Sequence, residues 1–274
     1  MKRKIFSVIA LLIGLTALAY PHISSYLNDK NGSYVSQDYH AQAKALDPAL
    51  VKKMWRQAEI YNENLTGSPV HDPFIPGSGV VMPENYYDVL NYKGQMATIE
   101  IPKIKVELPI YHGTGEKVLQ KAVGHLEGST LPIGGKSRHA VMTGHTGLSH
   151  TKIFTNLTEL VKGDQFYLKV LGKTLAYEVD QILVVKPSET DHLKVEKGRD
   201  LVTLLTCTPY GINTHRLLVR GHRIPYSPAK KANIKPVNTM TAEQKRLIIV
   251  AIITTFLMVL LNIVLRIRNK RQAV

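Results

Sequence analysis

Short runs of alternating apolar and polar residues fill the middle of the chain, and this pattern constrains its fold most. Ala97, Ile99 and Ile101 alternate with polar neighbours, as expected for a strand with one buried face. A short helix is expected over residues 116–127. Comparable apolar runs occur at residues 104–110, 140–142, 165–171, 175–185, 201–207 and 217–224. About eight short strands predict a mainly β fold, a closed or nearly closed antiparallel barrel over residues 96–226.

The segment before the barrel, residues 24–95, combines a polar stretch, a helix and a loop. Residues 21–42 are polar and are expected to form a stalk. Asp47 followed by Pro48 is typical of a helix N-cap with proline in the first turn. Apolar residues three or four apart then predict an amphipathic helix that ends before Gly67 and docks on the barrel.

Two uncharged apolar runs flank these regions. The first, within residues 1–23, follows three basic residues and predicts a secretory signal or a signal anchor, with cleavage after Ala19 left open. The second, residues 247–265, would span about 28 Å as a helix, close to the thickness of a bilayer core. The basic tail of residues 266–274 predicts a cytoplasmic C terminus, with residues 227–246 as a linker and the barrel outside the membrane.

The net charge of +14 first suggests a nucleic-acid partner. Three basic residues precede the first apolar run and four follow the second, so half of the excess charge marks membrane topology. No run of basic residues interleaved with aromatic ones occurs, and a nucleic-acid partner is therefore not expected. The single cysteine excludes an intramolecular disulfide framework and a multi-thiolate metal site.

The single cysteine ends an apolar strand. After Cys207, residues 208–213 have the composition of a turn, and a second apolar strand begins near Arg216. If the two strands pair, Arg216 lies beside Cys207, where its charge would lower the pKa of the thiol and favour the nucleophilic thiolate. Arg216 would also donate hydrogen bonds to an oxyanion. The alternative is that Cys207 is a small buried core residue.

A cysteine nucleophile needs an acid/base partner, and the chain has 11 histidines. His145 follows a strand and lies between Gly144 and Gly147, in a loop where its ring can project into a site. His215 adjoins Arg216 but points to the opposite face if the strand alternation continues there. By sequence alone the alternatives to His145 are His125, His139, His150, His215 and His222.

A resemblance to the sortase family is carried by residues 203–221, Thr-Leu-Leu-Thr-Cys-Thr-Pro-Tyr-Gly-Ile-Asn-Thr-His-Arg-Leu-Leu-Val-Arg-Gly. The Thr-Leu-x-Thr-Cys core, the arginine nine residues later and the upstream Thr-Gly-His all resemble the family's active-site motif. Residues 101–104, 108–113 and 143–147 also resemble sortase segments, over a region of roughly residues 90–225. The C-terminal apolar run and the Pro-rich loop before the barrel resemble the class C, pilin-polymerising sortases of Gram-positive bacteria.

This resemblance implies a closed eight-stranded sortase-type barrel and a cysteine transpeptidase without a metal or organic cofactor. Cys207 would attack the Thr carbonyl of an LPXTG-like sorting signal, break the Thr–Gly bond and form a thioacyl-enzyme. His145 would protonate the leaving amine and then serve as base for a Lys amine of the next pilin subunit. Arg216 would position the peptide and stabilise the oxyanion. Thr206 is a candidate hydrogen-bond donor to substrate, or simply a β-branched strand residue.

The Pro-rich loop of residues 68–85 contains an Asp-Pro-Phe sequence that resembles the lid motif of class C sortases. In an extended backbone, Asp72 and Phe74 point the same way. Asp72 would then pair with Arg216, while Phe74 covers the sulfur of Cys207 until substrate displaces both. By composition alone, Asp72 would instead start a turn in an ordinary surface loop.

Other functions stay open at this point. One is a sortase that attaches surface proteins to a cell-wall peptide, or a mainly hydrolytic relative. Another is a non-catalytic, membrane-tethered scaffold that binds pilins, in which Cys207 is structural. The combination of cysteine, histidine and arginine argues against the scaffold, and the lid-like segment and the C-terminal run favour pilin polymerisation. The expected location is the cell membrane of a Gram-positive bacterium, with the catalytic domain extracytoplasmic.

Overall fold

The structure is a computed structural model of the chain. It describes residues 2–65, 72–74, 85–148 and 151–237, together with 249–250, 253–255 and 258. The chain divides into two compact units, residues 1–237 and 238–274, and every element discussed below belongs to the first.

The flanking apolar runs stay predictions. Most of the C-terminal run and all of the basic tail lie outside the described residues. Across the part of the chain that the structure describes, we find no helix with an apolar stretch long enough to cross a bilayer.

Within the described part of residues 2–237, two helices precede the barrel, one short helix lies between its strands and another follows it. The helices are α1 (Lys2–Lys44), α2 (Pro48–Asn64), α3 (Glu116–Leu119) and α4 (Pro228–Ala232). The strands are β1 (Ala97–Ile101), β2 (Val106–His112), β3 (Val123–His125), β4 (Arg138–Thr143), β5 (Gln165–Val170), β6 (Lys173–Val185), β7 (Asp200–Thr208) and β8 (His215–Ile224). Three 3₁₀ turns cover Pro102–Ile104, Leu157–Glu159 and Asp191–Leu193.

The eight strands close into a barrel in the order β1-β2-β3-β4-β7-β8-β6-β5. The closed, mainly β barrel expected from the sequence is confirmed, but the expectation of a wholly antiparallel barrel is wrong. The pairs β2–β3 and β4–β7 are parallel. Parallel neighbours require a crossover connection: α3 lies between β2 and β3, and the β5–β6 hairpin lies between β4 and β7. The predicted helix over residues 116–127 is short because residues 123–125 join the barrel as β3.

Apolar side chains of the strands fill the barrel. Ile99, Leu168 and Val219 are fully buried. Ile99 and Leu168 lie opposite each other in the β1–β5 pair, and Val219 lies on β8. Phe166 stacks on Tyr177 with ring centroids 5.6 Å apart. Burial of each large side chain contributes about 1.5–3 kcal/mol, so this interior is the main source of stability for the strands that carry the site.

The helix α2 begins as the sequence predicts. The side chain of Asp47 accepts a hydrogen bond from the backbone N–H of Ala49, and Pro48 occupies the first turn. The apolar face of α2 docks on the barrel, with Ala58 and Tyr61 buried in its main core.

The expected polar stalk is instead part of α1. Residues 21–42 lie in this helix, and Tyr39 is buried and donates a hydrogen bond to the carbonyl of Met96. Gly32 allows close approach, because a Cβ there would lie 2.7 Å from the Leu108 side chain. The sequence gives little sign that this face of α1 packs on the barrel. The residues that make the contact are few, small or amphipathic, and lie one turn apart.

Asn62 joins α2 to the loop before β4, and we expect it to be important for stability. Its buried side chain accepts from the backbone N–H of Leu131 at 2.7 Å and donates to the carbonyl of Leu131 at 3.2 Å. Asn62→Ala should leave the buried N–H of Leu131 without a partner, although the Leu131 carbonyl still accepts from the N–H of Ile133 at 2.8 Å. The free energy of unfolding should fall by about 1–3 kcal/mol. Urea unfolding, followed by the fluorescence of the single tryptophan Trp55, measures this change.

The matched control is Asn64→Ala at the exposed end of the same helix, which should change the free energy of unfolding by less than about 0.5 kcal/mol. Equal effects of the two substitutions would contradict the role given to Asn62.

Candidate active site

The strands β7 and β8 place Cys207 directly opposite Arg216 in their antiparallel register. The connecting turn is closed by the carbonyl of Pro209, which accepts from the N–H of Ile212 and of Asn213. Asn213 adopts a left-handed backbone conformation with φ 61°, which asparagine tolerates better than most residues. Cys207 and Arg216 are 8% and 6% exposed. The local pairing predicted from the sequence therefore brings a thiol and a guanidinium together at the end of the barrel.

Arg216 is held by hydrogen bonds on two sides. Its Nε and Nη2 donate to the two carboxylate oxygens of Asp72 at 2.6 and 3.0 Å. Its Nη1 donates to the carbonyls of Asn213 and His215 at 3.1 and 3.2 Å. The pairing of Asp72 with Arg216 is the one that the sequence predicted. A bidentate, buried ion pair of this kind fixes the geometry of both partners.

Residues 72–74, called the lid segment below, also bring Phe74 to this site. The Phe74 ring lies 5.3 Å from the ring of His145 and 5.1 Å from the guanidinium carbon of Arg216. Asp72 Oδ1 accepts from the N–H of Phe74 at 2.9 Å. The two side chains therefore share a side because of a turn, whereas the sequence suggested an extended segment. Covering of the Cys207 sulfur by Phe74 stays a prediction.

An apolar patch beneath the site supports Phe74. Phe74 packs against a cluster of buried side chains contributed by Leu126, Val141, Val185, Leu193, Leu205 and Leu218. Three of these come from β4, β7 and β8, the strands that carry or precede the candidate catalytic residues. Displacement of Phe74 would therefore expose an apolar surface beside Cys207.

His145 is positioned by the strand next to β7. Because β4 runs parallel to β7, with Thr143 opposite Leu205, the loop after β4 emerges beside Cys207. The N–H of Gly144 donates to the carbonyl of Leu205 at 3.1 Å. Only glycine fits at position 144, since a Cβ would lie 2.7 Å from the Ile153 side chain.

Thr206 ties the two strands together at this point. Its hydroxyl donates to the carbonyl of Gly144 at 2.7 Å, and the residue is buried. The sequence offered Thr206 as a hydrogen-bond donor to substrate. In the structure its single hydroxyl hydrogen is directed to the backbone beside His145, which favours a positioning role.

The helix α1 contacts the same loop from outside. Asp29 Oδ1 accepts from the hydroxyl of Thr151 and from the N–H of Lys152, both at 3.2 Å. The N–H of Phe154 returns to the carbonyl of His145 at 3.1 Å. The loop that carries His145 is thus held by β7 on one side and by α1 on the other.

Burial keeps the thiol and the imidazole of this site uncharged. Burial raises the pKa of Cys207, Arg216 opposes this rise, and the carboxylate of Asp72 adds to it. The sequence expectation that Arg216 lowers the pKa of the thiol is correct for its own contribution but wrong for the net result. Burial also lowers the pKa of His145, against an opposing influence of Glu116. With the lid segment in place, the site therefore holds a neutral thiol beside a neutral imidazole.

Other histidines occupy structural positions. His125 is fully buried, which lowers its pKa to about 4, and it contacts Tyr86 and the carbonyl of Thr130, each at 2.9 Å. His139 lies between the carbonyl of Lys194 at 2.8 Å and Thr203 at 2.7 Å. His215 bonds the neighbouring Thr214, His222 lies on β8, and His150 falls outside the described residues.

Glu116 is a residue of the site that sequence reasoning missed. It begins α3, and its Oε2 lies 3.9 Å from His145 Nε2. The two residues are 29 positions apart, and only the parallel placement of β3 and the return through β4 bring them together. Within the described residues, no group of three or more His, Cys, Asp or Glu side chains is arranged to hold a metal ion.

Comparison with known proteins agrees with this geometry. Residues 99–224 match the family model of the sortase domain. The structure of sortase C-1 from Actinomyces oris is 52% identical, with a TM-score of 0.63, and the match covers 65% of this chain and 100% of that one. The chain belongs to the sortase family. Sortases are cysteine transpeptidases, and Cys207 is the single cysteine of this chain.

Two further comparisons define the place of this sortase in the family. The sortase C structure of Streptococcus pneumoniae is 43% identical, with a TM-score of 0.66, over 71% of this chain and 99% of that one. Sortase D of Bacillus subtilis is 32% identical over 129 residues, which are 46% of this chain and 62% of that protein. The matches to the two sortase C structures cover 65% and 71% of this chain, more than the barrel alone.

The lid segment should control the reactivity of Cys207. Asp72→Ala should speed labelling of the thiol near neutral pH for two reasons. It releases the lid segment from Arg216, and it removes a negative charge that raises the pKa of Cys207. The pH at which labelling is half-maximal should also move down. Labelling is specific because Cys207 is the single cysteine of the chain.

The control for this experiment is Asp38→Ala on the exposed face of α1, which should label at the wild-type rate. Phe74→Ala should speed labelling without the full downward shift in pH, because it leaves the charge of Asp72 in place. Wild-type labelling rates in both lid variants would show that the segment is not a cover.

Proposed function

We propose that this sortase is a class C transpeptidase that polymerises pilin subunits. The main support is the contact between the lid segment and the site. Asp72 forms two hydrogen bonds with Arg216, and the Phe74 ring packs against His145. Similarity to class C structures supports it, and the S. pneumoniae sortase C structure concerns catalysis and pilin substrate specificity. The substrate would be a pilin with an LPXTG-like sorting signal.

Release of the lid segment activates the nucleophile in this proposal. When substrate displaces Asp72, Arg216 regains its full effect on Cys207, because the opposing carboxylate is gone. The thiol then passes its proton to His145, whose lowered pKa in the closed site marks it as neutral and able to accept. The resulting thiolate is the attacking species.

Acylation follows from this arrangement. The sulfur of Cys207 attacks the Thr carbonyl carbon, and the guanidinium of Arg216 donates to the oxyanion that develops. His145 gives its proton to the leaving Gly amine, the C–N bond breaks, and the Thr acyl group remains on sulfur. Gly144 and Thr206 hold the imidazole in place through the contacts described above.

Transfer to a lysine amine completes the cycle. The thioester retains most of the free energy of the broken peptide bond, so an isopeptide bond forms without ATP. His145 acts as base for the incoming amine, and Arg216 again stabilises the oxyanion. The proposal requires no metal or organic cofactor.

We also propose that the catalytic unit acts at the outer face of the cell membrane of a Gram-positive bacterium. The support is in the sequence: a basic start before an apolar run, a second apolar run at residues 247–265, and a basic tail after it. The tail would be cytoplasmic, and residues 227–246 would link the barrel to the membrane.

Pilin polymerisation is tested with the full chain, an LPXTG-type peptide and a pilin. Wild type should give a thioacyl adduct on Cys207 and then a ladder of covalent pilin oligomers. Cys207→Ala should abolish both products, whereas a non-catalytic scaffold would keep its function. Products joined only to a cell-wall peptide, without a pilin ladder, would contradict the proposal and favour a wall-anchoring sortase. A parallel reaction with Asp72→Ala, in which the lid segment is released, would detect activity that a closed lid segment blocks in the wild type.

The assignment of the acid/base residue is tested separately. His145→Ala should lower turnover by about 10²–10⁴-fold, because the leaving amine loses its proton donor. The matched control is His215→Ala at the start of β8, next to Arg216 in sequence, which should keep wild-type turnover. Turnover by His145→Ala at the wild-type rate, measured by peptide cleavage, would show that another group serves as acid and base.

A further inference from the structure

The carboxylate of Glu116 occupies a distinctive place in the site. Its Oε2 lies 3.9 Å from His145 Nε2, and its side chain is 71% exposed against 22% for His145. The His145 ring also contacts Phe74 of the lid segment. Glu116 is therefore the more exposed of the two partners and lies beside the nitrogen of His145.

An uncharged neighbour, Gln120, holds this carboxylate. Glu116 Oε1 accepts a hydrogen bond from the side-chain amide of Gln120, one helical turn along. This leaves Oε2 directed towards His145. The separation of 3.9 Å is longer than a hydrogen bond, so the contact is electrostatic.

The nitrogen of His145 that faces Glu116 is also unsatisfied. Among the described residues, Nε2 of His145 is buried and has no hydrogen-bond partner. A nitrogen atom placed about 2.8 Å from both Nε2 and the carboxylate oxygen would bridge them, with its two N–H bonds directed to the two acceptors. A primary ammonium group has the donors and the charge for this position, whereas water has no net charge to be attracted.

We infer that Glu116 binds the ammonium group of the acceptor lysine and delivers it to His145, and so favours aminolysis over hydrolysis. This inference rests on the proposed function and adds the residue that recognises the second substrate. The problem that it solves is general: free lysine has a pKa of about 10.4 and reaches the enzyme as a cation that cannot attack.

Groups already in the site can accept and donate every proton that the transfer requires. The bound ammonium gives one proton to His145 Nε2, and the freed lone pair attacks the carbonyl carbon of the thioester. As the C–N bond forms the C–S bond breaks, and the second amine proton passes to the departing sulfur of Cys207. His145 then releases its proton to solvent, and the site returns to a neutral thiol and a neutral imidazole.

The experiment uses the full chain with Asp72→Ala, so that the site is open, and an LPXTG-type peptide. Two nucleophiles are compared near neutral pH: Nα-acetyl-lysine amide, which is cationic, and hydroxylamine, which is mainly neutral. Glu116→Gln keeps the size of the side chain and an acceptor oxygen for Gln120 but removes the charge. The control is Glu63→Gln, an exposed carboxylate on α2.

Glu116→Gln should lower ligation to the lysine probe about fivefold relative to hydrolysis, the range expected for a solvent-exposed ion pair. Because Glu116 opposes the lowering of the pKa of His145, any slower thioacyl formation in Glu116→Gln affects both acceptors alike. It therefore cancels in the ratio of lysine ligation to hydroxylamine release, which should also fall about fivefold. Glu63→Gln should match the parent in every reaction. Glu116→Asp should restore part of the lysine preference.

Two results would overturn the inference. An equal fall with lysine and hydroxylamine would mean that Glu116 acts only through the position of His145, and an unchanged lysine ratio would mean that it does not contact the acceptor. Absence of any thioacyl adduct in the parent would refute the proposed function itself, and the inference with it. That failure is distinguishable because the adduct is measured before any acceptor is added.

Discussion

The buried ion pair between Asp72 and Arg216 is the interaction on which the rest of the site depends. Its two short hydrogen bonds occupy the guanidinium that would otherwise act on Cys207. They also fix the turn that carries Phe74 to the ring of His145. A single contact thus neutralises the arginine, holds Phe74 against the histidine and adds to the rise in the pKa of the thiol that burial causes. Because removing one member of a buried pair leaves the other charge uncompensated, a substrate must replace Asp72 with acceptors of its own.

The barrel makes this arrangement possible through two kinds of strand pairing. The antiparallel pairing of β7 with β8 sets Cys207 opposite Arg216. The parallel pairing of β4 with β7 brings the loop after β4 to the same end. A wholly antiparallel neighbour for β7 would place its following loop at the opposite end, away from the cysteine. The correction to the predicted topology is therefore the feature that brings His145 to the site.

Local patterns in the sequence were enough to predict much of this structure. Alternation over two residues located the strands, the Asp-Pro pair located the start of α2, and a turn composition between two apolar runs paired Cys207 with Arg216. Each of these signals depends on residues close together in the chain. The Asp-Pro-Phe motif located the partner of Arg216 across 144 positions through a family resemblance, without any local physical signal.

Contacts that depend on the closed barrel were beyond local patterns. The proximity of Glu116 to His145 follows from α3, β3 and β4 together. The docking of α1 uses scattered residues such as Tyr39 and Asp29, whose spacing forms no apolar stripe. The pKa of Cys207 depends on its burial, which outweighs the nearby arginine. The sequence predicted that Arg216 lies beside Cys207, but it did not show that burial has the larger effect on the pKa of the thiol.

The exchange of Asp72 for substrate at Arg216 can be seen in a structure of the chain with an LPXTG-type peptide joined to Cys207 by a disulfide. In that structure the guanidinium should donate to a carbonyl oxygen of the peptide, with Asp72 and Phe74 displaced from Arg216 and His145. A peptide bound at Cys207 while Asp72 stays bidentate on Arg216 would contradict it.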